Sequence, residues 1–292
     1  MTNDNQPQHP LTFGIVTGQH QLTVSQLVEQ WHTAEALGFD AIYLFDHFFT
    51  LYGDPDGPCL EASTLLTALA LTTTRVRIGV LVNGNTHRHP AVLAKEIVTV
   101  DHVSAGRAVL GIGTGWNERE HRAYSLPFPS AGDRVAMLDE ALTVIHSLFT
   151  QQRTTVDGRF YQLHDAPFAP KPVQEPLPIL VGGKQPKMLR LIAKHADIWD
   201  SHGTPEEVRT RGEEIRRHCQ ENGRDPDEIA VSVSLGADRL EDAGGFADTV
   251  RAYRAAGASQ LLFDYPLSAQ GQRTAERVAR DIIPALREEV AM

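Results

Sequence analysis

Residues 76–113 have the sequence VRIGVLVNGNTHRHPAVLAKEIVTVDHVSAGRAVLGIG. Two short apolar runs, VRIGVLV and GRAVLGIG, stand at the two ends of this stretch. Between them lies a helical pattern that begins at Pro90, and proline is favoured in the first turn of a helix because its backbone angle is already helical. Short apolar runs bounded by turn residues are typical of buried strands. The stretch therefore predicts a strand, a helix and a second, parallel strand.

The same alternation continues along the whole chain. Further strands are predicted at residues 11–17, 39–45, 176–183, 196–200, 229–235 and 259–265. Helices are predicted at residues 24–37, 61–71, 91–104, 134–148, 186–195, 205–223, 246–257 and 272–290. Eight strands, each followed by a helix, predict an α/β fold of the (β/α)8 TIM-barrel type. A doubly wound sheet remains an alternative, because the sequence does not give the order of the strands.

A small insertion interrupts this alternation at residues 150–170. Its sequence RTTVDGRFYQL, at 153–163, predicts a hairpin that turns at Asp157 and Gly158, since Asp-Gly is a favoured hairpin turn.

Composition limits the classes of protein to be considered. The 292 residues carry a formal net charge of -10, so the phosphate backbone of a nucleic acid would be repelled. The two cysteines have no metal-site spacing and suggest reduced thiols, and no apolar stretch is long enough to predict a membrane span. Residues 1–10 are expected to be a disordered lead-in without signal-peptide character, and 11–292 a single domain. A cytoplasmic location is expected.

In a TIM barrel the chemistry lies where the strands end, at their carboxyl ends. Asp46 and His47 follow the second predicted strand, within IYLFDHFF at 42–49. Histidine is the usual group for proton transfer near neutral pH, and the neighbouring phenylalanines would exclude water. The alternative is a loop start in which Asp46 binds local backbone.

His87 and His89 form an H-x-H pair after the third strand. A metal-dependent hydrolase that used them with His47 is one possible function. A metal site needs three or four converging ligands, and the sequence has no carboxylate motif to complete this one, so no metal is expected. The alternative is contact between His87, Arg88 or His89 and a polar ligand.

Two glycine-rich turns also follow strands. GIGTGWNE, after the fourth strand, lacks the dinucleotide-binding spacing but allows a ligand close to the backbone, with Trp116 as an apolar wall. Gly182 and Gly183 precede a helix and Lys184, a pattern that can bind phosphate. Each pattern is equally compatible with a plain turn.

Three stretches together resemble the bacterial luciferase-like flavin and deazaflavin enzymes, and most of all their coenzyme F420 branch. They are LGFDAIYLFDHF, the segment from VLVNGNTHRHP to AYSLPFP, and PILVGGKQPKMLRLIAKHADIWD. They occur in the family's order, and the resemblance extends from about residue 11 to residue 265.

The resemblance implies that F420, or alternatively FMN, binds across the carboxyl ends of the strands. It implies a cofactor contact for Asp46 and an acid/base role for His47. A non-prolyl cis peptide behind the cofactor ring would fall near Leu81-Val82. The other cofactor positions that the resemblance implies are Asn83, Gly84, Thr114, Gly115, Gly182 and Gly183. It also implies a homodimer.

The sequence departs from the family at two positions. Trp116 replaces a second catalytic carboxylate of the sugar-phosphate dehydrogenases, which argues against a two-residue mechanism on a sugar phosphate. Phe45 stands where the family more often has serine, which changes a predicted ring contact.

The expected function is hydride transfer between C5 of F420 and a small organic substrate. Phe48, Phe49, Trp116 and Trp199 are expected to line an apolar pocket, and the alternative for each is packing in the core. The alternatives are an FMN-dependent monooxygenase supplied by a flavin reductase, a non-catalytic flavin- or deazaflavin-binding protein, and the metal hydrolase. The sequence does not identify the substrate.

Overall fold

Eight parallel strands close into a barrel in the computed structural model, which describes residues 9–291. The barrel strands are Thr12–Val16 (β1), Ala41–Leu44 (β2), Arg77–Val80 (β3), Ala108–Gly113 (β5), Ile179–Gly182 (β8), Ile198–Ser201 (β9), Ala230–Leu235 (β10) and Gln260–Asp264 (β11). Each strand pairs with its neighbours in chain order. The ring closes where β1 pairs with β11, Gly14 opposite Leu262. The predicted TIM barrel is confirmed, and the doubly wound alternative is wrong.

The third strand is interrupted before it reaches the barrel mouth. The peptide bond between Leu81 and Val82 is cis, at the position that the resemblance implied. The chain then forms the short strand Asn83–Gly84 (β4), which pairs with Ile112 and Gly113 of β5. The end of the third barrel strand therefore lies against the end of the fourth barrel strand, which is β5.

Helices surround the barrel. They are Val24–Ala36 (α1), Ala62–Thr72 (α2), Pro90–Val103 (α3), Glu118–Ala123 (α4), Ala131–Thr150 (α5), Pro186–His195 (α6), Pro205–Glu221 (α7), Ala237–Glu241 (α8), Phe246–Ala255 (α9), Ala269–Arg277 (α10) and Ile283–Ala291 (α11). The eight predicted helices are confirmed with small shifts at their ends. Helix α5 begins at Ala131, where Ser130 caps it, three residues before the prediction. The predicted last helix begins at Ala269 and contains a π-helical turn, Val278–Ile282.

Helices α4 and α8 have no counterpart in the prediction. Each is only five or six residues long, too short to give a clear apolar period. The predicted hairpin is confirmed, because Arg153–Asp157 (β6) and Gln162–Pro167 (β7) pair antiparallel around Gly158.

The apolar residues form two separate clusters. The larger one fills the space between the strands and the helices and includes Trp31 and Trp199. The smaller one lies inside the barrel and includes Val16, Tyr43 and Leu262. One side of the interior is polar, because the carboxylate of Asp200 on β9 accepts hydrogen bonds from the hydroxyls of Ser232 and Ser234 on β10.

The first ten residues were predicted to be a disordered lead-in, and residues 1–8 of that segment lie outside the described residues. His9, within the same segment, has its Nε2 atom 2.9 Å from the main-chain oxygen of Asp227. Arg254 donates a hydrogen bond to the main-chain oxygen of His9. In the described part of the chain, no helix is both long enough and apolar enough to cross a membrane.

Candidate active site

His47 lies in the loop after β2 and pairs with a buried carboxylate from another part of the chain. Its Nδ1 atom is 3.0 Å from Oε2 and 3.2 Å from Oε1 of Glu120, which lies on the short helix α4. The side chain of Glu120 is 0% exposed and that of His47 is 12% exposed. Trp116 packs its edge against the His47 ring at 5.4 Å between ring centroids. The imidazole is therefore held from two sides.

Glu120 also binds the backbone that follows His47. Its Oε1 atom accepts hydrogen bonds from the amides of Phe48, at 2.8 Å, and Phe49, at 3.0 Å. Burial raises the pKa of this carboxyl, but the hydrogen bonds from His47 and the two amides outweigh burial and lower it overall. Glu120 is consequently ionised at neutral pH and can only accept hydrogen bonds.

Asp46 is occupied by protein groups on both of its oxygens. Oδ2 accepts from the amide of Gly84 and lies 2.8 Å from Nδ1 of His87, while Oδ1 accepts from Arg88. The side chain is 1% exposed. Burial raises the pKa of this carboxyl, and its contacts with His87, Arg88 and Gly84 lower it further than burial raises it. Asp46 thus ties the end of β2 to the loop after the third strand, and its contact with a cofactor stays a prediction.

Asn83 is held by the same network. Its amide group donates to the main-chain oxygen of Gly111 at 2.7 Å, and its Oδ1 accepts from Arg88 at 3.1 Å. Arg88 therefore bridges Asp46 and Asn83. The backbone of Asn83 and Gly84 pairs with β5, and the contact of these residues with a cofactor stays a prediction.

The side chain of Val82, a predicted cofactor position, packs against Gly113 and against Gly182, another predicted position, on two other strands. A Cβ atom added to Gly113 would lie 2.7 Å from Val82 Cγ2, and one added to Gly182 would lie 3.5 Å from Val82 Cγ1. Gly113 and Gly182 thus leave room for the Val82 side chain beside the cis peptide. Val82 and these two glycines form an apolar wall, to which the glycines add no side chain of their own.

The two glycine-rich turns are fixed by hydrogen bonds. Gly115 has a φ of 73°, which favours glycine, and its carbonyl accepts from Arg134 at 3.1 Å. The Thr114 hydroxyl lies 3.4 Å from that same carbonyl. The amide of Gly183 donates to the main-chain oxygen of Asp200 at 3.3 Å, so this amide is not free. Helix α6, which follows, has no side-chain hydrogen bond at its N-cap, Gln185.

Four aromatic residues were predicted either to line a pocket or to pack in the core, and Trp199 packs in the core. Trp199 is 0% exposed, belongs to the core between strands and helices, and donates its indole N–H to the carbonyl of Gly183. Its side chain therefore packs outside the barrel. Trp116 is 65% exposed beside His47. Phe48 and Phe49 are half-buried and pack against Tyr124.

The histidines proposed for a metal site point to other partners. His87 binds Asp46, and His89 caps helix α3 by accepting from the amide of Ala91. Within residues 9–291 no group of three or more His, Cys, Asp or Glu residues is arranged to hold a metal ion. The arrangement gives the hydrolase alternative no support.

Glu120 was missed by the sequence analysis. It lies 73 residues after His47, in WNEREH at 116–121, where only Trp116 was assigned a role. The remaining signal was two glutamates and one histidine in a short polar run after a strand end. The sequence alone gives no reason to prefer Glu120 over Glu118, which is exposed and pairs with Arg122.

Comparison with known proteins agrees with this geometry. The model of the luciferase-like monooxygenase family matches residues 10–290. An F420-dependent glucose-6-phosphate dehydrogenase of Microbacterium testaceum (strain StLB037) is 35% identical over 189 residues, which are 64% of this chain and 55% of that protein. The chain spans about half the length of these curated relatives.

Solved structures share the fold at low sequence identity. An F420-dependent secondary alcohol dehydrogenase in complex with an F420–acetone adduct has a TM-score of 0.85 at 19% identity, covering 95% of this chain and 99% of that one. A riboflavin lyase with modified FMN has a TM-score of 0.81 at 14% identity, covering 96% and 92%. The family match extends over nearly the entire described structure, and the chain belongs to the luciferase-like monooxygenase family.

Proposed function

We propose that the protein is an F420-dependent oxidoreductase that moves a hydride between C5 of the deazaflavin and a small organic substrate. The observation that carries the proposal is the His47–Glu120 pair at the end of β2, which Asp46 ties to the apolar wall of Val82, Gly113 and Gly182. A group for proton transfer thus adjoins a surface suited to a flat ring. The 35% identical relative named for F420 supports this choice of cofactor.

The residues present fit a deazaflavin. Val82, Gly113 and Gly182 would lie behind the ring, because the wall that they form is apolar and its two glycines add no side chain of their own. The backbone of Asn83 and Gly84 would flank it, and Thr114, Gly115 and the Gly182–Gly183 turn would hold its side chain and phosphate. When bound, the deazaflavin supplies the carbon that accepts or releases the hydride.

The chain itself supplies orientation and a proton carrier. Glu120 occupies Nδ1 of His47, so Nε2 is the nitrogen available to the substrate. In the direction of substrate oxidation, His47 takes at Nε2 the proton that the substrate hydroxyl releases, and in reduction it returns that proton. Most of the remaining acceleration of the reaction would come from holding the substrate and the ring in contact, because hydride transfer depends on orientation.

A sugar phosphate is not the substrate that we propose. Trp116 stands beside His47, where the sugar-phosphate dehydrogenases carry a second carboxylate according to the resemblance. Its exposed indole, together with the exposed rings of Tyr52 and Tyr124, gives this side of the mouth an aromatic surface. We therefore propose a small organic alcohol or carbonyl compound with an apolar part.

An FMN-dependent monooxygenase is the second candidate, since flavin enzymes occur among the structural neighbours. It would consume oxygen and would need reduced flavin from a reductase. Hydride transfer to or from F420 requires neither, so turnover under strictly anaerobic conditions separates the two. A non-catalytic binding protein would show no turnover at all.

We also propose a homodimer in the cytoplasm, which light scattering and cell fractionation would test.

The proposal is tested by replacing His47 with alanine. We expect H47A to bind F420 with unchanged affinity and to lose turnover by about 10²–10⁴-fold, the usual contribution of a general acid/base. Arg119→Ala, a surface change nearby at a residue with a 53% exposed side chain, is the control and should keep full activity. Full turnover in H47A would remove His47 from the mechanism.

A further inference from the structure

The position of Glu120 is itself fixed by contacts on its helix. The next residue, His121, is 0% exposed, and its Nε2 lies 2.7 Å from the Thr86 hydroxyl in the loop after the third strand. Its Nδ1 lies 2.7 Å from the main-chain oxygen of Asn117 at the start of α4. Helix α4 is therefore docked on the loop that carries Gly84 and His87. A buried side chain on a docked helix gives a fixed geometry to the group it contacts.

An ionised carboxylate has no hydrogen to donate, so a hydrogen bond between Glu120 and the neutral ring of His47 requires the hydrogen to be on Nδ1. The unprotonated nitrogen is then Nε2, the one left to the substrate. We propose that Glu120 is a positioning residue that fixes this tautomer and the orientation of His47. The inference rests on the proposed function for its catalytic consequence, but the tautomer itself does not depend on that function.

A structural role is the competing explanation, because Glu120 also accepts hydrogen bonds from the amides of Phe48 and Phe49. Glutamine separates the two roles. Its carbonyl oxygen can still accept from both amides, while its NH₂ group can only donate to Nδ1. In E120Q the hydrogen of a neutral His47 is consequently moved to Nε2, and that nitrogen can no longer take a proton.

Other titratable groups surround this pair and bear on any pH profile. His20, after β1, and Cys59, after the β2 loop, both feel the charge of Glu120. Burial is the main cause of the lowered pKa of His20, followed by the charge of His47. Burial also raises the pKa of the Cys59 thiol to about 11, so this thiol stays neutral across the range to be studied. Asp46, the residue before His47, and His87 bind each other.

The test combines ring-nitrogen NMR with kinetics. In wild-type protein labelled with ¹⁵N-histidine, at a pH where His47 is neutral, we expect the proton on Nδ1, with the His47 signals assigned by their loss in H47A. In E120Q we expect it on Nε2. With F420, E120Q should keep its affinity within about threefold and its KM near wild type, but lose kcat by at least about 100-fold, as expected when a base is held in the wrong tautomer.

Glu118→Gln is the matched control, since Glu118 lies on the same helix with a 61% exposed side chain and should leave tautomer and kinetics unchanged. A wild-type ring protonated on Nε2, or an E120Q protein with wild-type kcat, would overturn the inference. If wild type neither binds F420 nor turns over, the proposed function fails, while the NMR result still decides the role of Glu120. The wild-type spectrum decides it even if E120Q does not fold.

Discussion

The carboxyl of Asp200 offers a quantitative test of the polar side of the barrel. It lies inside the barrel on β9, with its side chain buried and hydrogen-bonded to Ser232 and Ser234. Burial raises the pKa of Asp200 from the ordinary 3.8 to about 7, and the two hydroxyls only partly oppose this. The folded protein therefore holds a proton that the unfolded chain releases near pH 4.

The direction of the pH dependence follows from this difference in proton binding. Because the folded state binds the extra proton, stability is fully present below about pH 4 and falls as the pH rises through about 7. The difference in pKa is about 3, and at about 1.4 kcal/mol per pH unit the loss is at most on the order of 4 kcal/mol. Asp200→Asn replaces the carboxyl with a neutral group of the same shape, so it should abolish the decline.

Urea unfolding at pH 5 and pH 8.5 measures the effect. We expect wild type to lose stability between these two values and D200N to lose much less, so that D200N is the more stable protein at pH 8.5. The control is Asp56→Asn, whose side chain is 86% exposed in a surface ion pair with Arg119 and which should change stability by under about 1 kcal/mol. The same pH dependence in wild type and D200N would refute the reasoning.

Two further substitutions test the mouth of the barrel. Arg88→Met removes a partner of the buried Asp46 carboxylate, so we expect the free energy of unfolding, measured in urea, to fall by about 3–5 kcal/mol. A fall below about 1 kcal/mol, as for a surface pair such as Arg119 with Asp56, would contradict the proposed network. Gly113→Val adds atoms that collide with Val82 on the wall proposed for the cofactor ring, so the affinity for F420 should fall at least about tenfold. The control is Gly132→Ala, where an added Cβ has its nearest neighbour at 3.9 Å, and this variant should keep the wild-type affinity. Equal F420 affinity in both variants would place the ring elsewhere.

The fold could be predicted from the sequence because its signals are local. Each strand is a short apolar run, and Pro90, Pro186 and Pro205 lie in the first turn of their helices. Gly38, which directly follows the predicted first helix, has a φ of 87°, the left-handed conformation that favours glycine at the end of a helix. The closure of the barrel was inferred only from the number of strands, since the pairing of β1 with β11 joins residues almost 250 positions apart.

The site could be predicted only in part, because its decisive contacts are not local. His47 and the cis peptide at Leu81-Val82 were located by their place after strands and by resemblance. The pairing of His47 with Glu120 depends on how α4 docks through His121 and Thr86, and no sequence spacing encodes that contact. Trp199 was expected in the pocket or in the core, and it packs in the core. Adjacent strand residues face opposite sides, so Asp200 enters the barrel while Trp199 packs outside it.

The most direct test of the proposed function is a fluorescence titration of the purified protein with F420 and, separately, with FMN. Deazaflavin fluorescence changes when the ring leaves water, so binding can be followed without knowledge of the substrate. We predict saturable binding of one F420 per chain, with an affinity well above that for FMN. Preferential binding of FMN, or no binding of F420, would contradict the assignment.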